Sequence, residues 1–189
     1  PIHPEELGID FLTASAHKFH GPKGIGFLYA SSMDFDSYLH GGDQEQKKRA
    51  GTENLAAIVG MVAALKESLE KQEEHFQHVQ KLETAFLAEL ECIQYYLNRG
   101  EHHLPYVLNI GFPGQKNDLL LLRLDLAGIS ISTGSACTAG IVQSSHVLEA
   151  MYGANSERLK ESVRISLSPQ NTIEDLQTLA KTLKEIIGG

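Results

Sequence analysis

Ser15-Ala16-His17-Lys18-Phe19-His20-Gly21-Pro22-Lys23-Gly24 is the stretch on which the reading of this chain turns. It follows Ile9 to Ser15, an apolar run with the length and composition of a short buried strand. The breaker cluster Gly21-Pro22-Lys23-Gly24 closes it, and Ile25 to Ala30 reads as a second strand. A lysine directly after a strand is carried on rigidly held backbone. Its amine has a reference pKa of about 10.4, which burial or nearby positive charge lowers. A lowered amine adds to a carbonyl carbon and then moves protons. Ser15 and His17 beside it carry groups that hydrogen-bond phosphate. The same residues also describe an exposed lysine in a turn, and spacing alone leaves both readings open. Gly-Pro-Lys-Gly lacks Walker spacing, so a nucleotide P-loop is rejected.

Length and charge bound the rest. At 189 residues the chain has the size of one domain or slightly more, enough for a sizeable core. The formal net charge of −8 argues against a binder that holds nucleic acid through bulk positive charge, so no direct nucleic-acid partner is expected. No apolar run approaches the ~18 residues of a membrane span, and no signal peptide is expected. Two cysteines, Cys92 and Cys137, make a disulfide framework an unsuitable reading and point to a reducing, cytoplasmic setting.

Beyond the second strand lies a polar loop from His40 to Thr52 with Gly41-Gly42 and Lys47-Lys48-Arg49. Glu53 to Leu69 is helical, and its first half is apolar nearly all round, which predicts burial on most sides. From Lys71 to Leu90 the helical pattern turns amphipathic and heavily charged. This shift near residue 70 is the candidate domain boundary, crossed by a long helix or a helix pair. Strands are expected at Tyr106 to Phe112, Ile129 to Ser132 and Ser162 to Leu167. Helices are expected at Asn117 to Ala127, Ser145 to Tyr152 and from Thr172 to Ile187, the last opened by a capping-box pattern of Thr172 with Asp175. Strands alternating with helices predict an α/β or α+β layer.

Three further features bear on chemistry. Cys137 lies in Ser132-Thr133-Gly134-Ser135-Ala136-Cys137-Thr138-Ala139-Gly140, a loop of small residues. There it reads either as an accessible nucleophilic thiol or as packing in a tight turn. Cys92, beside Ile93 near a helix end, reads as packing. Arg164 sits in Ser162-Val163-Arg164-Ile165-Ser166, where alternation sends it to the face opposite Val163 and Ile165. It reads as a carboxylate clamp or as a solvated or ion-paired strand residue. The pairs His75/His78 and His102/His103 lack companions with zinc spacing, so no metal site is expected. The terminal Gly188-Gly189 reads as a helix end rather than a carrier tail.

Together these segments resemble the class V aminotransferase family, and within it the cysteine desulfurases. Ser15-Ala-His17-Lys18 with Gly-Pro-Lys-Gly-Ile-Gly is similar to the family's cofactor-lysine segment. Gly41-Gly42-Asp43-Gln44-Glu45-Gln46-Lys47-Lys48-Arg49-Ala50-Gly51-Thr52-Glu53-Asn54 is similar to a desulfurase segment, with Asp43 where a glycine or acidic residue is usual and Gln46 where arginine is common. The Cys137 loop resembles the persulfide loop of the NifS- and IscS-like branch, and Ser162-Val-Arg164-Ile-Ser-Leu the strand of the carboxylate-binding arginine. Family members are about twice this long, so the resemblance implies the C-terminal half of a desulfurase.

The resemblance implies an incomplete α/β architecture. It is that of the fold type I pyridoxal-phosphate transferases, which are aspartate aminotransferase-like. Residues 1–72 would be the end of the cofactor-binding large domain and the connecting helix. Residues 73–189 would be the small α+β domain carrying the persulfide loop. The implied reaction converts L-cysteine to L-alanine and leaves sulfur on the enzyme. Lys18 would hold pyridoxal 5'-phosphate and act as the proton-transfer base, with Ser15 and His17 on its phosphate. Thr52 would reach the phosphate of the other subunit, which implies a homodimer. Arg164 would anchor the substrate carboxylate, and Cys137 would become the persulfide. Sulfur acceptors would be an iron–sulfur scaffold or a tRNA-thiolating enzyme. The half-length chain alone is expected to be inactive and need not bind the cofactor. Two alternatives stand beside this: another class V enzyme, such as an aminotransferase or a lyase acting on selenocysteine, and a non-catalytic partner-binding fragment.

Overall fold

A computed structural model describes residues 2–134 and 145–188. The chain divides into two compact units, Pro1–Gln72 and Glu73–Gly189. No helix among the described residues is long and apolar enough to cross a membrane.

The first unit is a β-hairpin, an irregular loop and a helix. Strand β1 (Phe11–Ser15) pairs antiparallel with β2 (Gly26–Ala30), in a register from Phe11↔Ala30 to Ser15↔Gly26. A single 3-10 turn, Ala16–Phe19, follows β1 directly. Helix α1 (Leu55–Glu70) begins at Asn54, whose side chain accepts the Ala57 N–H at 3.2 Å. That contact satisfies one of the orphan donors of the first helical turn.

The expectation that α1 is buried on most sides does not hold within this unit. Met61 alone is buried, while Leu55, Val59, Val62 and Leu69 are each more than half exposed. The physical reason is area. The 3-10 turn and Pro22 after it are what α1 packs against, and they are too small to cover more than the stripe that runs through Ile58, Met61 and Leu65.

The second unit has two layers. Helix α2 (Gln72–Glu89) is followed by β3 (Tyr96–Leu97), β4 (Val107–Gly111), α3 (Asn117–Leu126), α4 (His146–Tyr152), α5 (Arg158–Glu161), β5 (Ser162–Ser166) and α6 (Ile173–Gly188). The sheet is antiparallel in the order β3-β4-β5. Val79, Leu82 and Phe86 of α2 join Leu108, Ile110, Val163 and Ile165 of the sheet and Leu179 and Leu183 of α6 in one core. Alternation along β4 and β5 puts these four strand residues on the core face.

Two details of the second unit could not be read from sequence pattern. Strand β3 is two residues long, below the length at which alternation is visible. It is recorded in Gly111 instead: a Cβ there would lie 2.2 Å from Tyr96 Cζ, so the Tyr96 ring lies across bare backbone. Buried Asn98 then ties the layer together. Its Nδ2 donates to Asn109 Oδ1 and to Ser162 Oγ, both at 2.8 Å, and its Oδ1 accepts from Arg158 Nη1 at 2.8 Å. The Arg158 guanidinium lies 4.2 Å from the Tyr96 ring centre and 4.4 Å from that of Tyr152. The carboxylate of buried Glu83 is paired with Arg99 and faces His103, so its charge is not left alone in the interior.

Two other expectations change. Cys92 is exposed rather than packed, because it stands in the turn after α2 and Ile93 takes the inward position beside it. Ile129 to Ser132 forms no strand; only Ser132 bridges β5, at Arg164.

The capping box of α6 is present. Thr172 N donates to Asp175 Oδ2 at 2.9 Å, and Asp175 N donates to Thr172 Oγ1 at 3.2 Å. The Thr172 N–H holds the Asp175 carboxyl below its ordinary range, with side-chain bonds from Asn171 and Thr172 acting the same way. A folded value below the unfolded one means that the stabilisation is complete above the unfolded pKa of about 4 and is lost as pH falls through the folded value. The difference in urea midpoint between wild type and Asp175→Ala is therefore expected to be present at neutral pH and to shrink in acid.

Candidate active site

Lys18 stands in the 3-10 turn immediately after β1, and its side chain is exposed together with those of Ser15 and His17. The turn beneath them is held from several directions. Ala16 is fully buried, its N–H donates to Ile25 O at 3.0 Å, and its carbonyl accepts the Gly21 N–H at 2.8 Å. A Cβ at Gly21 would lie 2.9 Å from Ala16 Cβ, so the chain closes on itself at that point. His20 takes the left-handed conformation (φ 66°) that ends the turn. Helix α1 then seats against it: a Cβ at Gly60 would lie 2.8 Å from Pro22 Cγ, and Ser68 Oγ donates to Phe19 O at 3.4 Å. The result is a fixed backbone that presents a hydroxyl, an imidazole and a primary amine outward. That donor set suits a phosphorylated aldehyde. The amine serves the carbonyl carbon, and the hydroxyl and imidazole serve phosphate oxygens.

Thr52 lies in the same unit, exposed, two residues before the Asn54 cap of α1. The positive end of a helix next to a hydroxyl favours an anion there. The loop before it is tied at its base by Ala50 N donating to Leu39 O at 3.2 Å and by Ser37 Oγ donating to Lys48 O at 3.2 Å. At its tip Glu45, Gln46 and Lys47 are all left-handed, with φ of 50°, 55° and 67°. Such a run of non-glycine residues costs roughly 1–2 kcal/mol per residue and persists only where surrounding contacts impose it.

Arg164 belongs to the second unit. It lies mid-strand in β5 opposite Asn109 of β4, on the face away from the core. Ser132 fixes it. Arg164 N donates to Ser132 O at 2.6 Å, Ser132 N donates to Arg164 O at 3.1 Å, and Arg164 Nε donates to Ser132 Oγ at 3.0 Å. Binding Nε to a hydroxyl sets the plane of the guanidinium while its terminal amino groups make no hydrogen bond to another described residue. A guanidinium held in that way can take a carboxylate with two parallel bonds. Sequence reasoning missed Ser132 as the partner, since the two residues are far apart in the chain and no local pattern links them.

Ser15, His17, Lys18 and Thr52 thus share the first unit, and Arg164 lies in the second. Cys137 lies outside the described residues. Among the described residues no group of three His, Cys, Asp or Glu side chains gathers as a metal site.

The aminotransferase class-V family matches residues 1–179. The chain is 46% identical over 191 aligned residues to the putative cysteine desulfurase IscS 1 of Bacillus subtilis (strain 168), covering 99% of this chain and 50% of that protein. It is 39% identical to the cysteine desulfurase IscS of Dictyoglomus turgidum, covering 99% of this chain and 48% of that protein. Among solved structures it is similar to a NifS-like protein from Rickettsia africae ESF-5, with a TM-score of 0.86, 31% identity, and coverage of 100% of this chain and 50% of that one. A further structure named as a NifS-like protein gives a TM-score of 0.86 at 33% identity, covering 100% of this chain and 49% of that one. The chain spans about half the length of the curated relatives it matches. Its architecture is a partial fold type I domain of the kind found in pyridoxal-phosphate-dependent transferases. With the family matched from residue 1 to residue 179, the chain belongs to the class V aminotransferases.

Proposed function

We propose that this chain carries the lysine, the carboxylate-binding arginine and the sulfur-accepting cysteine of a cysteine desulfurase. The observation that carries the reading is Lys18, exposed on a turn that β1, Gly21 and α1 hold in place. The names of the relatives at 46% and 39% identity support it.

Pyridoxal 5'-phosphate, when bound, supplies an electron sink for the substrate's α-carbon. The remaining work belongs to the chain. Lys18 Nζ would hold the cofactor's aldehyde carbon and, as a free amine, would move the proton at the substrate's α-carbon. Ser15 Oγ and the His17 ring hold the phosphate, and Thr52 holds the phosphate of the partner subunit of a homodimer. Arg164 orients L-cysteine through its carboxylate, with Ser132 keeping the guanidinium in plane. The Cys137 thiolate attacks the substrate sulfur. The substrate C–S bond breaks, an S–S bond forms on Cys137, and the carbon skeleton leaves as L-alanine after taking up a proton. A sulfur acceptor such as an iron–sulfur scaffold or a tRNA-thiolating enzyme then receives the terminal sulfur. The two-cysteine composition supports a reducing cytoplasmic setting.

The 189 residues alone do not turn over cysteine, because the relatives they match are twice as long. Borohydride reduction of the cofactor-treated protein, followed by peptide mass spectrometry, checks the first part: a pyridoxyl adduct is expected on Lys18 and not on Lys23. An adduct spread over the lysines contradicts it. Alanine release from L-cysteine by the isolated chain overturns the second part.

A further inference from the structure

We infer that Gln44 is a positioning residue for Thr52, an inference that rests on Thr52 being the phosphate contact proposed above. Gly51 N donates to Gln44 Oε1 at 3.0 Å, closing the loop across seven residues. Two observations show that the chain is shaped around this bond. A Cβ at Gly42 would lie 2.4 Å from Gln44 Oε1, so the bare backbone of Gly42 leaves room for the Gln44 amide in this position, and a side chain there would displace it. Gly51 itself has φ +104°, a conformation that few other residues adopt.

Among the described residues, no other hydrogen bond reaches Gly51 or Thr52. Up to Ala50 the backbone is tied to Leu39, and from Asn54 onward it is held by α1. Between these anchors, Thr52 has no hydrogen bond to a described residue, and Gly51 N–H is the contact next to it. The left-handed run Glu45 to Lys47 follows Gln44 directly. That turn reverses the chain so that Gln44 and Gly51 meet. Releasing the Gly51 N–H frees the link that sets where the Thr52 hydroxyl stands.

The test uses Gln44→Ala, Gln44→Glu, Thr52→Ala and the Gln44→Ala/Thr52→Ala double variant of this chain. Gln44→Glu keeps an acceptor oxygen at the same length. Amide exchange and the backbone amide resonances of Gly51 and Thr52 are followed by NMR, with α1 resonances as the fold control. Affinity for pyridoxal phosphate is measured alongside. Gln44→Ala is expected to speed Gly51 exchange about tenfold, as loss of one hydrogen bond would. It should also move the Thr52 amide resonance, while Gln44→Glu preserves both. Cofactor affinity should fall about tenfold in Gln44→Ala, with the double variant no weaker than Thr52→Ala. Unchanged Gly51 exchange, or effects of Gln44→Ala and Thr52→Ala that add, would overturn the inference. Absence of cofactor binding by the wild-type chain counts against the cofactor reading alone. In that case the Gly51 and Thr52 amides decide for or against Gln44.

Discussion

Phe86→Ala is expected to lower the stability of the second unit by about 3–5 kcal/mol. Phe86 is fully buried on α2, in the core that also holds Leu82, Ile110, Val163 and Leu183. Truncation removes the ring's burial and leaves a cavity between helix and sheet that rigid strands close only in part. Domains of this size are stable by about 5–15 kcal/mol, so the variant stands close to unfolding at room temperature. Urea titration followed by circular dichroism checks this through a lower midpoint at unchanged slope. A drop below ~1 kcal/mol would mean that the α2–sheet core does not carry the unit.

Arg164→Ala is expected to weaken capture of L-cysteine by ten- to a hundred-fold, the worth of roughly 1.5–3 kcal/mol for hydrogen bonds to a charged group. The effect should fall on KM more than on kcat in the assembled, active protein, because the carboxylate is held alike throughout the reaction. Arg164→Lys should recover only part of it, since an ammonium has no planar fork. Ser132→Ala should give an intermediate loss, because it frees the guanidinium plane and leaves its charge. Equal KM values for wild type and Arg164→Ala would remove Arg164 from the substrate site.

Some of this architecture is plain in the residues. Thr172 and Asp175 stand at capping-box spacing, and their two bonds are formed. Ser145 and Gly153 bracket α4 as cap and stop, with Ser145 Oγ accepting the Leu148 N–H at 3.3 Å. Alternation around Arg164 puts Val163 and Ile165 in the core and the arginine on the other face. Each of these is a local rule acting within four residues.

What pattern did not show is non-local or runs against local preference. The Ser132 partner of Arg164 and the Gln44 partner of Gly51 are set by folding. The left-handed run at Glu45 to Lys47 opposes the preference of all three residues, so no propensity points to it. The apolar composition of α1 describes what the helix can bury, whereas its exposure depends on what else is packed against it. Cys92 shows that the average burial of a residue type does not decide a single turn position.

Everything proposed for the reaction begins with covalent capture of the cofactor by Lys18. The most direct measurement is the visible absorption spectrum after addition of pyridoxal phosphate to the assembled, active protein, for wild type and Lys18→Ala. A new band in the wild type that is missing from Lys18→Ala is the expected result. Identical spectra for the two proteins would contradict the assignment of Lys18.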